Sequence, residues 1–160
     1  MKHLPSNRGF TLIQLVIVLV VLGIIAAIVS ANWPGTSPTV SSEADRIASD
    51  LRYLQNLATT QHTIYRMNFS SSQYTFTQLD GTTAVNHPAT GSNTIALPST
   101  MTLTTTNLPN NYVVFNSKGT PETDTSGTAL ATNATVAVTN GSVTSTITIT
   151  PDTGTIQTPT

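Results

Sequence analysis

Side chains that could catalyse a reaction or hold a metal ion are few in this chain and widely spaced. Its three histidines are His3, His62 and His87, and it contains no cysteine. Transition-metal sites use His and Cys ligands at short spacings, so this pattern disfavours such a site. Glu122 and Asp124 could offer oxygen ligands to Ca²⁺, but two carboxylates rarely suffice, and a plain turn is the better interpretation.

Motifs for nucleophilic catalysis or phosphate binding are also missing. No serine occurs in a Gly-x-Ser-x-Gly sequence, no histidine is placed to act as its base, and no glycine-rich phosphate loop is present. The lack of cysteine excludes thiol catalysis and disulfide bonds. We therefore expect a protein that is not an enzyme and that binds no cofactor and no metal.

Charged residues are sparse and unevenly placed. They make up 8% of the chain, and the net charge is −1. Lys2 and Arg8 precede a long apolar run without any acidic residue, so the positive-inside rule keeps this flank cytoplasmic. Without residues 1–9, the chain has four basic and seven acidic side chains, and no basic residue follows Lys118. This distribution disfavours nucleic acid as a partner, because nucleic-acid binding depends on neutralising phosphates.

The apolar run extends over 22 residues, Phe10–Ala31, with only three polar side chains. As a helix it would span about 33 Å, which matches a hydrocarbon core of roughly 30 Å. An ordinary signal peptide is the alternative, because the small residues Val29–Ala31 would allow cleavage before Asn32. The run is longer than the apolar part of most signal peptides, which favours a retained membrane helix.

The start of this run carries a specific motif. Gly9-Phe10-Thr11-Leu12-Ile13 follows a short basic leader and precedes Gln14-Leu15. The motif resembles the prepilin signal of type IV pilins and type II secretion pseudopilins. The resemblance implies that a prepilin peptidase cuts after Gly9 and that Phe10 becomes N-methylated. It also implies that the retained helix anchors the subunit in the bacterial inner membrane and then packs against the helices of other subunits in a filament.

Gln14 departs from the family pattern, which has glutamate at this position. The resemblance implies that the glutamate pairs with the N-terminal ammonium of a neighbouring subunit. Glutamine can accept a hydrogen bond but supplies no charge, and its amide is less costly to leave in lipid. Two interpretations stay open: an altered role in assembly, and a tolerated polar residue bonded within its own bundle.

A break and a second helix follow the apolar run. Residues 32–38 contain two prolines and a glycine, which stop or kink a helix. Ser42–Asp45 has the pattern of a capping box, and apolar residues then recur at spacings of three and four as far as Ala58, with Tyr65 continuing the series. On the opposite face we expect solvated polar side chains, namely Arg46, Asp50, Arg52 and Gln55.

Short alternating segments occupy the rest of the chain, separated by turns rich in Gly, Pro, Asn and Asp. The predicted strands are Ile64–Phe69, Tyr74–Gln78, Thr94–Leu97, Met101–Thr105, Tyr112–Phe115, Thr135–Thr139, Thr146–Thr150 and Thr155–Gln157. The sequence thus predicts an α+β fold, with a long N-terminal helix whose first half spans the membrane and an antiparallel β domain packed on its second half. The predicted divisions are a leader (1–9), a transmembrane and filament-core helix (10–32), a kink or linker (33–42) and a periplasmic or extracellular domain (43–160).

Three segments of the domain also resemble the GspH/FimT branch of minor pilins. They are the Leu51–Met67 helix that runs into a strand, the Val114–Gly119 strand and glycine turn, and the Ile147–Gly154 late strand and turn. The resemblance implies a structural subunit of a type IV pilus or of a type II secretion pseudopilus. The alternatives are an adhesive or DNA-binding minor pilin, and a secreted Thr-rich β domain released after Ala31.

Overall fold

The first helix is apolar except at two positions. The computed structural model describes residues 12–31 and 38–158, and the side chains of the first stretch as far as Ile25. Helix α1 (Leu12–Ala31) has 20 residues, of which Gln14 and Ser30 are polar. Counting only residues that the structure describes, no helix reaches the length and hydropathy of a membrane span. The predicted leader and the first half of the predicted linker, residues 33–37, lie outside the described residues.

The second helix, α2 (Val40–Gln61), begins earlier than the sequence pattern suggested. Thr39 is its N-cap: the Thr39 hydroxyl accepts from the Ser42 amide at 3.2 Å, and the Ser42 hydroxyl donates to the Thr39 carbonyl at 2.9 Å. The predicted capping box at Ser42–Asp45 is therefore wrong, because the cap lies three residues before it. Burial of Val40 extends the helix to this point, since its side chain is part of the core.

Helix α2 ends where a residue leaves the helical conformation. His62 adopts a left-handed conformation with φ of 51°, and its backbone N–H donates to the Ala58 carbonyl. Such a residue closes the last turn and turns the chain away from the helix axis. Tyr65, which the sequence placed on the helix face, consequently lies in the first strand.

Nine strands follow among the described residues and form two antiparallel sheets. The strands are β1 (Tyr65–Ser70), β2 (Gln73–Gln78), β3 (Thr94–Ala96), β4 (Thr102–Thr106), β5 (Tyr112–Phe115), β6 (Pro121–Glu122), β7 (Ala134–Thr139), β8 (Thr144–Ile149) and β9 (Ile156–Gln157). One sheet has the order β3-β2-β1-β5-β6, and the other has the order β4-β7-β8-β9. All eight predicted strands are present within one or two residues at each end, and β6 is an addition inside a segment predicted as a turn.

The core lies between α2 and the inner faces of both sheets. Helix α2 contacts β1 and β5 of the larger sheet and β7, β8 and β9 of the smaller one. Alternating strand residues point inward, which produces the buried, half-buried pattern of β7. Among the residues whose burial the structure describes, the buried apolar ones lie between Val40 and Ile156, inside a compact unit that begins at Pro38. This unit therefore holds its own hydrophobic core.

Candidate functional site

Within the described part of the chain, the most exposed apolar surface lies on α1. From Leu12 to Ile25, the large apolar side chains are 47% to 80% exposed and point in all directions around the helix. Gln14 lies exposed among them near the start of the helix. An apolar surface of this extent marks a site for a protein or lipid partner. The predicted processing site, Gly9 and Phe10, lies outside the described residues.

The polar face predicted for α2 is only partly solvated. Arg46 and Arg52 are exposed as expected, whereas Gln55 is half-buried and Asp50 is buried. Arg46 pairs with Glu43, which is only 3% exposed, and also donates to the Ala96 carbonyl at 3.2 Å. Burial raises the pKa of Glu43, an effect that the charge and hydrogen bond of Arg46 partly offset. Arg52 reaches the other sheet, where it donates to the Ile156 carbonyl at 2.8 Å. Arg46 and Arg52 thus connect α2 to an edge strand of each sheet through backbone carbonyls.

Asp50 is the centre of a buried polar cluster. It is 7% exposed, and the Tyr74 hydroxyl donates to its Oδ2 at 2.6 Å. The Nε2 atom of His87 lies 3.1 Å from its Oδ1. Burial, followed by the hydrogen bond to Asp50, raises the pKa of Tyr74 far above its ordinary value, so the phenol stays a donor. The prediction that Asp50 faces solvent is therefore wrong.

His87 belongs to the long β2–β3 connection and anchors it on α2. Its ring stacks on Phe76 with centroids 5.6 Å apart and meets Tyr53 edge-on at 5.4 Å. Its Nδ1 accepts from the Ala89 amide at 3.3 Å, which leaves Nε2 to carry the proton directed at Asp50. With both ring nitrogens engaged, this pair lacks the free base that nucleophilic catalysis requires. The cluster is an anchor for the loop.

The two glycine turns that resemble those of the family, at Gly119 and at Gly154, are both hydrogen-bonded to the side chain of Gln55. The Nε2 atom of Gln55 donates to the Gly119 carbonyl at 2.8 Å and to the Thr153 carbonyl at 3.2 Å. A Cβ at Gly154 would lie 2.5 Å from Gln55 Nε2 and 2.8 Å from the Gly119 oxygen. Both turns therefore sit against α2 at a distance that a side chain at position 154 would not allow.

The candidate metal ligands do not converge. His62 caps α2, Glu122 accepts from the Asn116 amide at 2.8 Å, and Asp124 accepts from the amides of Ser126 and Thr128. Hydrogen bonds, those from Thr128 first, lower the pKa of Asp124. Within the described residues, no group of three or more His, Asp or Glu side chains could hold a metal ion. His3 lies outside them.

Sequence spacing carried a signal for the buried cluster that the prediction missed. Glu43, Ile47, Asp50 and Leu54 follow one another at spacings of four, three and four, so both acids share a stripe with core residues. Tyr74 and Phe76 are buried and alternate with the half-buried Gln73 and Thr75 in β2, so both point toward this stripe. His87 had no such signal, because an irregular loop has no period.

Comparisons with known proteins agree with this architecture. A family model described as type II transport protein GspH matches residues 43–154, and the prokaryotic N-terminal methylation motif matches residues 4–30. No curated protein shows significant similarity to the chain.

Solved structures share the fold at low sequence identity. The minor pseudopilin EpsH of the type 2 secretion system of Vibrio cholerae is 14% identical with a TM-score of 0.57, over 76% of this chain and 97% of that one. A second EpsH structure has a TM-score of 0.56 at 13% identity, over 74% and 92%. The type IV minor pilin FimU of Pseudomonas aeruginosa is 18% identical with a TM-score of 0.51, over 76% and 88%.

The fold and the motif together define a pilin or pseudopilin subunit. Since the GspH model covers more than half of its residues, the chain belongs to the GspH family. The family and the fold are those of structural subunits rather than enzymes.

Proposed function

We propose that the chain is a structural minor subunit that is processed after Gly9, methylated at Phe10 and polymerised through α1. The match of the N-terminal methylation motif to residues 4–30 carries this proposal. The exposed apolar side chains of α1 support it, because a helix that is apolar on all sides needs lipid or other helices around it. The destination is a type IV pilus or a type II secretion pseudopilus.

The helix acts at two stages in this proposal. Before assembly, the apolar run Phe10–Ala31 holds the subunit in the inner membrane, where a helix satisfies its own backbone hydrogen bonds. The run starts two residues before the described helix, and the basic leader keeps its N-terminus cytoplasmic. The β domain then faces the periplasm. During assembly, the same side chains exchange lipid for the helices of neighbouring subunits.

The mature N-terminus tests the proposal directly. Intact mass and N-terminal sequencing of the protein from a cell with prepilin peptidase should show a start at methylated Phe10. In a strain without the peptidase, the chain should keep its leader. A start at Asn32 would instead establish an ordinary signal peptide and a secreted β domain.

Gln14 is proposed to meet its neighbour through a hydrogen bond in place of the family's ion pair. Its amide oxygen can accept from an N-terminal ammonium, although without the attraction of opposite charges. Gln14→Glu should raise incorporation into filaments, and Gln14→Leu, which keeps the size but removes the acceptor, should lower it. Equal incorporation of all three proteins, measured against equal membrane levels, would contradict this role.

A further inference from the structure

The tip of the β7–β8 hairpin combines exposure with a reactive dipeptide. Residues 140–143 connect the paired ends Thr139 and Thr144, and all four are exposed. Asn140-Gly141 is the only Asn-Gly pair in the chain. Gly141 has φ of 90°, and a Cβ there would meet no atom within 4 Å, so the turn has open space beside this residue.

Hydrogen bonds at the tip prepare the Asn140 carboxamide for attack. Its Oδ1 accepts from the amides of Ser142 at 3.1 Å and Val143 at 2.9 Å. Two N–H donors on one carbonyl oxygen draw electrons from its carbon and stabilise negative charge on the oxygen. The Gly141 nitrogen follows Asn140 directly in the chain, so the attack is intramolecular. Its N–H donates to the Thr139 hydroxyl at 3.1 Å, and this bond must open before the nitrogen attacks.

We propose that Asn140-Gly141 is a self-modification site, at which Asn140 becomes aspartate and isoaspartate. Hydroxide from water removes the Gly141 amide proton, and the nitrogen attacks Cγ of Asn140. The new N–Cγ bond forms as the Cγ–Nδ2 bond breaks, and Nδ2 takes a proton from water and leaves as ammonia. A water molecule then opens the five-membered imide at either carbonyl carbon. The sum is one water consumed and one ammonia released, without oxidant, cofactor or enzyme.

The modification changes the character of a neutral surface. None of the residues in the four strands of the smaller sheet is charged, and their outward positions are mostly threonine. A carboxylate at position 140 places a negative charge at the end of this sheet. The isoaspartate product also adds a methylene to the backbone of the turn. A newly made subunit therefore presents a neutral tip, and an aged subunit presents an acidic one.

Asn116 provides a control inside the same chain. Its Oδ1 also accepts from two amides, those of Lys118 at 3.0 Å and Thr120 at 3.1 Å. However, its Nδ2 is held by Glu122 at 2.8 Å, the next residue is Ser117, and the site is half-buried. The leaving nitrogen is thus fixed and the attacking nitrogen is hindered by a side chain.

Peptide mapping by mass spectrometry tests the proposal on the purified full-length chain in detergent. After incubation in mildly alkaline buffer, the Asn140 peptide should gain one mass unit at least about tenfold faster than the Asn116 peptide, a barrier difference of about 1.4 kcal/mol. Incubation in ¹⁸O-water should label the product, and isoaspartate should appear beside aspartate. The folded chain should also elute progressively later from an anion exchanger.

Two variants and one comparison complete the test. Asn140→Gln keeps an amide but disfavours the five-membered ring, so it should abolish both the mass gain and the elution shift. Asn140→Asp should elute at the late position from the start. The proposal is overturned if Asn140 stays unmodified in the folded chain while the same peptide from denatured chain converts, or if Asn116 converts equally fast.

Discussion

Removing the Tyr74 hydroxyl should destabilise the domain through Asp50. The phenol is fully buried, and its bond to the Asp50 carboxylate is 2.6 Å long, the length of a charge-assisted hydrogen bond. Such bonds contribute about 1.5–3 kcal/mol. Tyr74→Phe should therefore lower the unfolding free energy by about 2 kcal/mol at neutral pH, and the melting temperature of a domain of this size by roughly 8 °C.

A double-mutant cycle separates this bond from general packing. Asp50→Asn should also cost about 2 kcal/mol, because an amide cannot accept from both Tyr74 and His87. The double variant should be less destabilised than the sum of the two by about 1–2 kcal/mol, since Tyr74→Phe removes the donor of this bond and Asp50→Asn removes the charge that strengthens it.

Urea unfolding of residues 38–160, followed by far-UV circular dichroism, measures each variant. This fragment is the compact unit that holds the whole buried core. The dependence of free energy on urea should stay the same in all four proteins, so that midpoints report stability. Additive effects within about 0.5 kcal/mol would refute the coupling, as would a Tyr74→Phe variant as stable as wild type.

Three further predictions concern charge, packing and partners. Because burial raises the pKa of Glu43 above its ordinary 4.5, its contribution to stability is complete below that pH and is lost as the pH rises through the folded value. The stability of Glu43→Gln relative to wild type should therefore increase as the pH rises above 4.5, as urea midpoints will show. A constant difference would contradict the shift. Gly154→Ala should lower the unfolding free energy by roughly 2–4 kcal/mol, because its Cβ would lie 2.8 Å from the Gly119 oxygen and its φ is 62°. Gly141→Ala is the control: its Cβ would lie in open space, so only its positive φ should lower the unfolding free energy, by about 1–2 kcal/mol. Equal losses in urea unfolding would disprove the close approach at Gly154. The fragment 38–160 should show no salt-dependent affinity for DNA by fluorescence anisotropy, because acidic side chains outnumber basic ones; binding that weakens steeply with salt would favour a DNA-binding pilin.

Local patterns explain why much of the fold could be predicted. The alternation in Thr146–Thr150 places every second side chain in the core, and the strand forms where the pattern occurs. The spacing of apolar residues from Ala44 to Ala58 defined the buried stripe of α2 in the same way. Such patterns involve neighbours in the chain and can be read without knowing the fold. The ends of elements were less accurate, as at Thr39, because caps depend on single side chains.

The sequence by itself determined the family motif at Gly9-Phe10, the apolar helix and the α+β order, because each depends on residues that are contiguous or periodic. Only the tertiary structure decided what the polar residues of α2 do. Asp50 is hydrogen-bonded to Tyr74, which lies 24 residues further along the chain, and Gln55 is hydrogen-bonded to Gly119, 64 residues further along. A polar side chain on a helix has the same local pattern whether water or a distant strand meets it. Its partner is set by how the sheets fold back over the helix. That folding buried Asp50, which the sequence placed in solvent, and gave the exposed Arg46 and Arg52 hydrogen-bond partners in the strands.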